Sequence, residues 1–483
     1  MAIYTEVQLL RSRRTKIVAT LGPASRDAET IDSLMDAGVN VFRLNMSHGD
    51  HQSQGEVFAH IRKAAMNAGR SVAILADLAG PKIRVGEFRD GGVTLEEGAR
   101  VVVTTREVLG EPGLIPSQYD ALASDVRAGD RILLADGVME LRVEQVDGTE
   151  ITCTVVQGGL LTGRKGINLP DVSVSAACLT EKDRTDANFL LGLGVDFLGL
   201  SFVRSGEDVA QLKLLIEEAG ASADIIAKIE RREALHESES IIDMADGIMV
   251  ARGDLGVELP PEQVPIAQLK LIEHAKRKNK PVIVATQMLE SMIENPRPTR
   301  AEVADVSQAV FGGADAVMLS GETASGAHPV GAVKMMNRII RHTEGHLWEQ
   351  GAFGALGVDS VDPPIPFGDA VARSMALLSR DLRVRAIIVI SGSGMSAATM
   401  SSARPAAPIV SISPLKTTCR RMSLMWGVIP YFADNTDLSD GNAVAKRLAE
   451  EINLASKGQF ILLVRGFHAE PERNAPSITL LQV

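Results

Sequence analysis

Residues 224–254 read DIIAKIERREALHESESIIDMADGIMVARGD. Two short apolar runs, 224–230 and 246–254, flank a longer stretch, and each run ends in charged residues. Runs that are apolar throughout, rather than alternating, suit strands buried on both faces, as parallel strands between helices are. The pattern recurs along the chain as TKIVATL (15–21), VNVFRLN (39–45), VAILADL (72–78), VDFLGLSFV (195–203), PVIVATQ (281–287) and ADAVMLSGE (314–322). Nearly all are followed by a helical pattern. AEVADVSQAVF (301–311), for example, carries its apolar residues at helical spacing behind the start signals Pro298 and Thr299. Eight strand–helix units of this kind predict an α/β fold built on a closed (β/α)8 TIM barrel.

One long gap interrupts the series. Between the third and fourth runs, GGVTLEEGARVVVTT, GDRILLADGVMELRVEQVDG and EITCTVVQGGLLTG alternate short apolar runs with Gly–Asp and Asp–Gly turns. That texture predicts a small antiparallel β-barrel domain over 80–174, inserted at the C-terminal end of the third strand. Barrel active sites lie at that end, so the insert is placed to act as a lid. The barrel itself is expected from 1–79 and 175–348, closing with a helix around 329–348. A Gly/Pro-rich stretch, 351–368, reads as a linker. Beyond it RAIIVIS (385–391), PIVSIS (408–413), GVIPYF (427–432) and QFILLVRG (459–466) predict a C-terminal α/β domain over 349–483.

Composition narrows the function. The 483 residues carry 50 basic and 61 acidic side chains, a formal charge of −11, which lacks the basic footprint of a nucleic-acid or acidic-membrane binder. A local basic cluster still suffices for a small anionic substrate. Cys153, Cys178 and Cys419 are sparse, odd in number and without a Cys-x-x-Cys spacing, which fits a reducing compartment. The first sixteen residues lack an apolar h-region, and no run approaches the ~18 apolar residues of a membrane span. The expectation is a cytoplasmic protein.

Polar residues directly after the apolar runs converge on one mouth if the barrel forms. The fifth run ends in Lys228-Ile-Glu230, whose period-two spacing sends both charges to one side; a surface ion pair is the alternative. The sixth ends in Arg252-Gly253-Asp254, where glycine permits close backbone approach to a ligand or simply a tight turn. Two carboxylates facing one mouth repel unless a cation lies between them, and hard oxygen donors suit Mg²⁺ or Mn²⁺. Lys228 would then neutralise a transferring phosphoryl group. The second run ends in Arg43-Leu-Asn45-Met-Ser47-His48, with Arg43 shaped for bidentate phosphate contact. Ser47-His48 has no acid spaced to make a triad. Thr286, after the seventh run, either donates to a substrate carboxylate or bonds nearby backbone.

Longer motifs carry a resemblance. TKIVATLGPAS (15–25), FRLNMSHG (42–49), GINLP (166–170), LSFVRS (200–205), AKIE (227–230), GIMVARGDLGVE (247–258), ATQMLESMIENPRPTRAEVADV (285–306) and DAVMLSGETASG (315–326) resemble the pyruvate kinases, in family order. The resemblance implies phosphoryl transfer from phosphoenolpyruvate to ADP, with Lys228 stabilising the transition state and Glu230 and Asp254 binding a divalent metal. It implies that Arg43, the backbone at Gly253, and Thr286 position phosphoenolpyruvate. Asn45, Ser47, His48, Arg84 and Lys165 match nucleotide-site positions, and Thr286 is placed to assist enolate protonation through a water chain. Many members hold K⁺ with oxygens matching Asn45, Ser47, Asp77 and a threonine; here that threonine is Leu78, and a glutamate position nearby is Lys82. The expectation is that the Lys82 ammonium replaces K⁺, which is then not required.

In the C-terminal domain, Ser391, Ser393, Gly394 and Ser396 lie between a strand and a helix, a setting for a phosphate or for ordinary helix capping. The family places a sugar-phosphate effector there. The segment VRGFHAEPERNAPSITLLQV (464–483) lacks the Gly/Thr-rich loop of a fructose-bisphosphate site, so another sugar- or nucleotide-phosphate effector, or little regulation, is expected. A homotetramer is implied by resemblance alone. Two alternatives stay open on sequence: another barrel enzyme using phosphoenolpyruvate or pyruvate, and a non-catalytic phosphometabolite-binding relative.

Overall fold

The computed structural model describes residues 13–353, 364–434, 440–468 and 470–483. Eight parallel strands close into a barrel: Lys16–Thr20, Val41–Asn45, Ala73–Asp77, Phe197–Leu200, Asp224–Ile229, Gly247–Ala251, Val282–Ala285 and Ala316–Leu319. The first strand pairs with both the second and the eighth, Val18 opposite Val41 and Ile17 opposite Val317. All eight apolar runs thus supply the barrel strands, because burial on both faces demands apolar residues at every position. Val18, Leu75, Phe197, Ile226, Met249 and Ile283 are among the side chains that fill its interior.

The helix after the seventh barrel strand begins where the sequence placed its start signals. Thr299 caps Arg300–Phe311: its hydroxyl accepts from the Glu302 N–H at 3.2 Å, and Glu302 Oε2 accepts from the Thr299 N–H at 2.7 Å. The closing helix spans Pro329–Glu349. The sixth strand departs from expectation. It stops at Ala251, and Arg252–Glu258 is a short helix, so Asp254 rides on a helix rather than on a strand end.

Between the third and fourth barrel strands the chain forms a six-stranded sheet and a two-stranded ribbon around a separate core that includes Val103, Ile132, Leu141 and Ile151. The pairing is antiparallel except for Arg100–Thr104 against Leu114–Pro116, which run parallel. The excursion between them turns back through a tight antiparallel bridge of Glu111 with Leu114.

The C-terminal sheet has five strands, in the order Val428–Phe432, Ile409–Ser413, Ile387–Ile390, Phe460–Arg465, Ser477–Gln482. Four are parallel; the last is antiparallel and had no counterpart among the sequence-predicted runs. Most of the central part of the expected linker, 354–363, lies outside the described residues. This unit docks on the N-terminal end of the barrel. Arg404 pairs with Asp315 at 2.8 Å, Arg420 with Asp196 at 2.6 Å and Arg421 with Asp224 at 2.8 Å, while Leu424 joins the barrel's interior core. The opposite, C-terminal end is left to the insert. Cys153, Cys178 and Cys419 are buried and free. Among the described residues, no helix is long and apolar enough to cross a membrane.

Candidate active site

At the C-terminal mouth, four charged side chains from three strands form one network. Lys228 Nζ lies 2.8 Å from Glu230 Oε1 and 3.2 Å from Asp77 Oδ1, and donates to Ser201 Oγ at 2.7 Å. Asp77 also accepts from Arg43, through Nε at 2.8 Å and through Nη2, while Arg43 Nη1 reaches Thr20 Oγ1 at 3.2 Å. Backbone space is reserved for this carboxylate: a Cβ at Gly199 on the neighbouring strand would fall 2.9 Å from Asp77 Oδ1.

Asp77 is 1% exposed and Glu230 2% exposed, so the charges act with little screening by water. Burial disfavours the Lys228 ammonium, but Asp77 and Glu230 outweigh it and hold the group charged well above the usual lysine range. Burial likewise works against the Asp77 carboxylate; Lys228 and Arg43 overcome it and keep its pKa below the ordinary value. Glu230 goes the other way. Burial, reinforced by the Asp254 charge, lifts its pKa despite Lys228.

That last shift bears on the metal. Glu230 Oε2 accepts from the Phe202 N–H at 2.6 Å, whereas Asp254 has no hydrogen bond or ion pair among the described residues. Two carboxylates close enough that the Asp254 charge helps lift the pKa of Glu230, with Asp254 itself unpartnered among the described residues, fit a hard divalent cation. Among the described residues no group of three or more His, Cys, Asp or Glu could hold a metal ion by itself, so a cation at this pair would need further oxygen ligands from outside the chain.

The seventh strand leads into a strained turn. Thr286 and Gln287 adopt φ of 67° and 56°, a region that β-branched threonine seldom enters. Arg252 holds the turn: it forms paired hydrogen bonds of 2.6 Å to both oxygens of Asp305 and donates to the Thr286 carbonyl at 2.8 Å. Thr286 Oγ1 accepts from the Gly253 N–H at 2.6 Å and donates to the Ala285 carbonyl at 2.7 Å. Of the two alternatives for this hydroxyl, the structure shows the backbone one: its partners are the Gly253 N–H and the Ala285 carbonyl.

The insert completes the site. A cleft of 490 Å³ between insert and barrel is lined by Glu230 and Asp254 on one side and Arg84 and Lys165 on the other. Arg84 Nη1 donates to the Arg164 carbonyl at 2.9 Å, and the Lys165 carbonyl accepts from the Val85 N–H, so entry and return strands of the insert carry the two cations together. Lys82 shares the cleft. It is exposed by area, yet partial desolvation, followed by the Lys228 charge, lowers its pKa, with Asp254 and Glu230 opposing. The passage into the insert turns at Gly80, φ 66°, where a Cβ would lie 2.8 Å from Phe202 and 2.9 Å from Ser201.

Asn45, Ser47 and His48 occupy the loop after the second strand, with Asn45 Oδ1 accepting from the Ser47 N–H at 3.1 Å. They do not line the cleft that holds Arg84 and Lys165. The Leu78 side chain is buried and its carbonyl accepts from Ser201 Oγ at 2.7 Å. In the C-terminal domain, Ser391 and Ser393 hydroxyls accept from the Gly394 and Met395 N–H groups at 3.1 and 3.4 Å, and Ser396 is buried. The N-cap of helix Met395–Ser402 is Gly394, without a side-chain cap bond, so these two hydroxyls order the turn ahead of the helix.

Ser201, Phe202, Arg252 and Thr20 were missed as candidates. Ser201 and Phe202 directly follow the fourth strand, so the strand-end rule that found Lys228 extends to them. Arg252 also follows a strand directly, but its role was hidden because its partner Asp305 lies 53 positions away.

Known proteins match the whole arrangement. The family model for the pyruvate kinase barrel domain covers residues 12–333, and that for the pyruvate kinase alpha/beta domain covers 369–477. A pyruvate kinase of Geobacillus stearothermophilus is 44% identical over 458 residues, 94% of this chain and 78% of that protein. One from Staphylococcus aureus strain MRSA252 is 42% identical over 459 residues, with the same coverage. The crystal structure of a pyruvate kinase from Cryptosporidium parvum, 36% identical, superposes with a TM-score of 0.91 over 98% of this chain and 97% of that one. The barrel, the C-terminal α/β unit and these matches together make the chain an enzyme that belongs to the pyruvate kinase family.

Proposed function

We propose that the chain moves a phosphoryl group from phosphoenolpyruvate to ADP at the barrel mouth, giving pyruvate and ATP. The observation that carries the reading is the buried Lys228–Glu230–Asp77–Arg43 network, whose Glu230 opens onto a cleft shared with Arg84 and Lys165. The bond between phosphorus and the enol oxygen breaks as one forms to the terminal phosphate oxygen of ADP. Lys228, held charged, offsets the negative charge on the transferring group. Arg43, the Gly253 backbone and Thr286 position phosphoenolpyruvate, which takes over hydrogen bonds that Thr286 now makes within the chain. Arg84 and Lys165 from the cleft and Asn45, Ser47 and His48 from the loop outside it hold the nucleotide phosphates once closure of the insert brings the two sets together and excludes water. The enolate left behind takes a proton at carbon, and Thr286 assists through water. Glu230 and Asp254 would hold Mg²⁺ or Mn²⁺, which when bound would supply charge neutralisation for the phosphoryl group.

The enzyme works without K⁺. Both Asp77 oxygens are engaged by Arg43 and Lys228, the Leu78 carbonyl is taken by Ser201, and Lys82 brings a cation into the adjoining cleft lined by Glu230 and Asp254. A homotetramer, a cytoplasmic location, and a sugar- or nucleotide-phosphate effector at the Ser391–Ser396 loop rest on family membership alone. The relatives named above favour neither a different phosphoenolpyruvate enzyme nor a non-catalytic binder. Pyruvate formation is measured in tetramethylammonium buffer with and without ADP, Mg²⁺ and KCl. Strict dependence on ADP and Mg²⁺, with indifference to KCl, is expected; strong activation by KCl contradicts the Lys82 assignment, and ADP-independent turnover contradicts the reaction.

A further inference from the structure

Beside the loop that bears Asn45, Ser47 and His48 lies a polar stripe that no step above uses. Lys182, Asp186 and Phe189 sit at i, i+4 and i+7 of helix Glu181–Leu193, and therefore on one face. Lys182 Nζ donates to the Met46 carbonyl at 3.0 Å and to Asp186 Oδ2 at 2.5 Å. The other Asp186 oxygen is 2.8 Å from His51 Nε2, and the His51 ring stacks on Phe189 with centroids 4.2 Å apart and planes 1° from parallel. His51 is the first residue of helix His51–Asn67, which the loop enters. Asp186 is only 4% exposed, so one buried carboxylate fixes two cation-capable groups at once.

The loop's other carbonyl bonds are local. Gln54 Nε2, on the helix that follows, reaches the Asn45 and His48 carbonyls at 3.3 and 2.8 Å, and so moves with the loop. Met46 is different. Its N–H donates to the Asp77 carbonyl at 3.0 Å and its carbonyl is held by Lys182, so the segment is tied on one side to the barrel strand and on the other to a separate helix. Gly49, φ 77°, gives the chain a pivot immediately beyond.

We infer that Lys182, Asp186 and His51 are positioning residues that lock this loop in its nucleotide-binding conformation. The inference rests on the proposed assignment of the loop to ADP. A loop that is competent only part of the time weakens apparent affinity by that fraction, so a competent population of about one tenth raises the apparent constant ~10-fold. Phosphoenolpyruvate, positioned by Gly253, Thr286 and an Arg43 that stays within its barrel strand and is held there by Asp77 and Thr20, escapes this penalty.

The test uses the full chain and compares KM for ADP, KM for phosphoenolpyruvate, kcat and thermal stability in wild type, Lys182→Met, Lys182→Arg, Asp186→Asn and His48→Ala. The Lys182 side chain is 60% exposed, so Lys182→Met leaves the core intact. Lys182→Met and Asp186→Asn are expected to raise KM for ADP by about five- to tenfold, leaving KM for phosphoenolpyruvate and kcat at saturating ADP nearly unchanged. Lys182→Arg restores part of the loss. Unchanged KM for ADP in Lys182→Met, a rise shared equally by both substrates, or a loss of thermal stability alone overturns the inference. His48→Ala separates the two layers. If it raises KM for ADP while Lys182→Met does not, only the positioning role falls; if it too has no effect, the nucleotide assignment of the loop falls with it.

Discussion

Replacing Asp77 by Asn removes one charge while keeping the shape, and it should damage stability and catalysis together. The carboxylate is 1% exposed and is the only anion among the described residues within 4.0 Å of Arg43; it is also one of two that hold Lys228. Breaking a buried ion pair by removing one partner costs about 3–5 kcal/mol, because a cation is left uncompensated. The Asn carbonyl still accepts a hydrogen bond from Arg43 Nε, which places this variant near the lower figure, about 3 kcal/mol. The pH dependence follows from the depressed pKa of Asp77. A carboxyl whose folded pKa lies below its unfolded value of about 3.9 contributes stability that is complete above that value. The contribution disappears as pH falls through the folded pKa. Denaturant titrations at pH 7 and pH 3 should therefore show a wide gap between wild type and Asp77→Asn at pH 7, narrowing in acid. Catalysis should fall by roughly 10²–10³, as when one preorganised electrostatic group is lost. A variant with near-normal turnover and an unchanged unfolding midpoint at pH 7 would refute the claim that Asp77 orders the charges of the mouth.

Two further outcomes follow from other parts of the fold. Glu258 is buried where the insert returns to the barrel, with Oε2 unpartnered, and burial, against Arg231, pushes its pKa up to about 7. An acid with a raised folded pKa adds stability below its unfolded value and loses it as pH rises toward the folded one, so Glu258→Gln should stabilise the enzyme at pH 8 by roughly 2–4 kcal/mol and do little at pH 4; equal midpoints at pH 8 would contradict this. Leu424 of the C-terminal domain fills the closed end of the barrel core, so Leu424→Ala should cost about 2–5 kcal/mol in denaturation while leaving both substrate KM values in place.

The barrel was legible because its strands are apolar at every position, a pattern that depends on local sequence alone. The same rule located Lys228, Glu230, Arg43 and Thr286, since a polar residue after such a run has only the mouth to occupy. Asp254 was read as a strand end because the strand GIMVA continues without a break into the helix RGDLGVE; only geometry separates them. The last C-terminal strand, Ser477–Gln482, pairs antiparallel at the edge of a parallel sheet, so its half-exposed sequence shows no continuous apolar run. Long-range ion pairs left no trace at all. Arg420 and Asp196 are 224 positions apart, and Lys182 reaches Met46 across 136. Such partners are chosen by the fold rather than by any local pattern.

The central claim is that Lys228, set between Asp77 and Glu230, carries the phosphoryl-transfer step. Its most direct measurement is kcat for pyruvate formation in Lys228→Met, alongside Mn²⁺ binding and KM for phosphoenolpyruvate in the same variant. A fall in kcat of about 10³ or more is expected, with Mn²⁺ still bound and KM changed only a few-fold, because the lost interaction belongs to the transition state. Turnover within about tenfold of wild type would contradict the account.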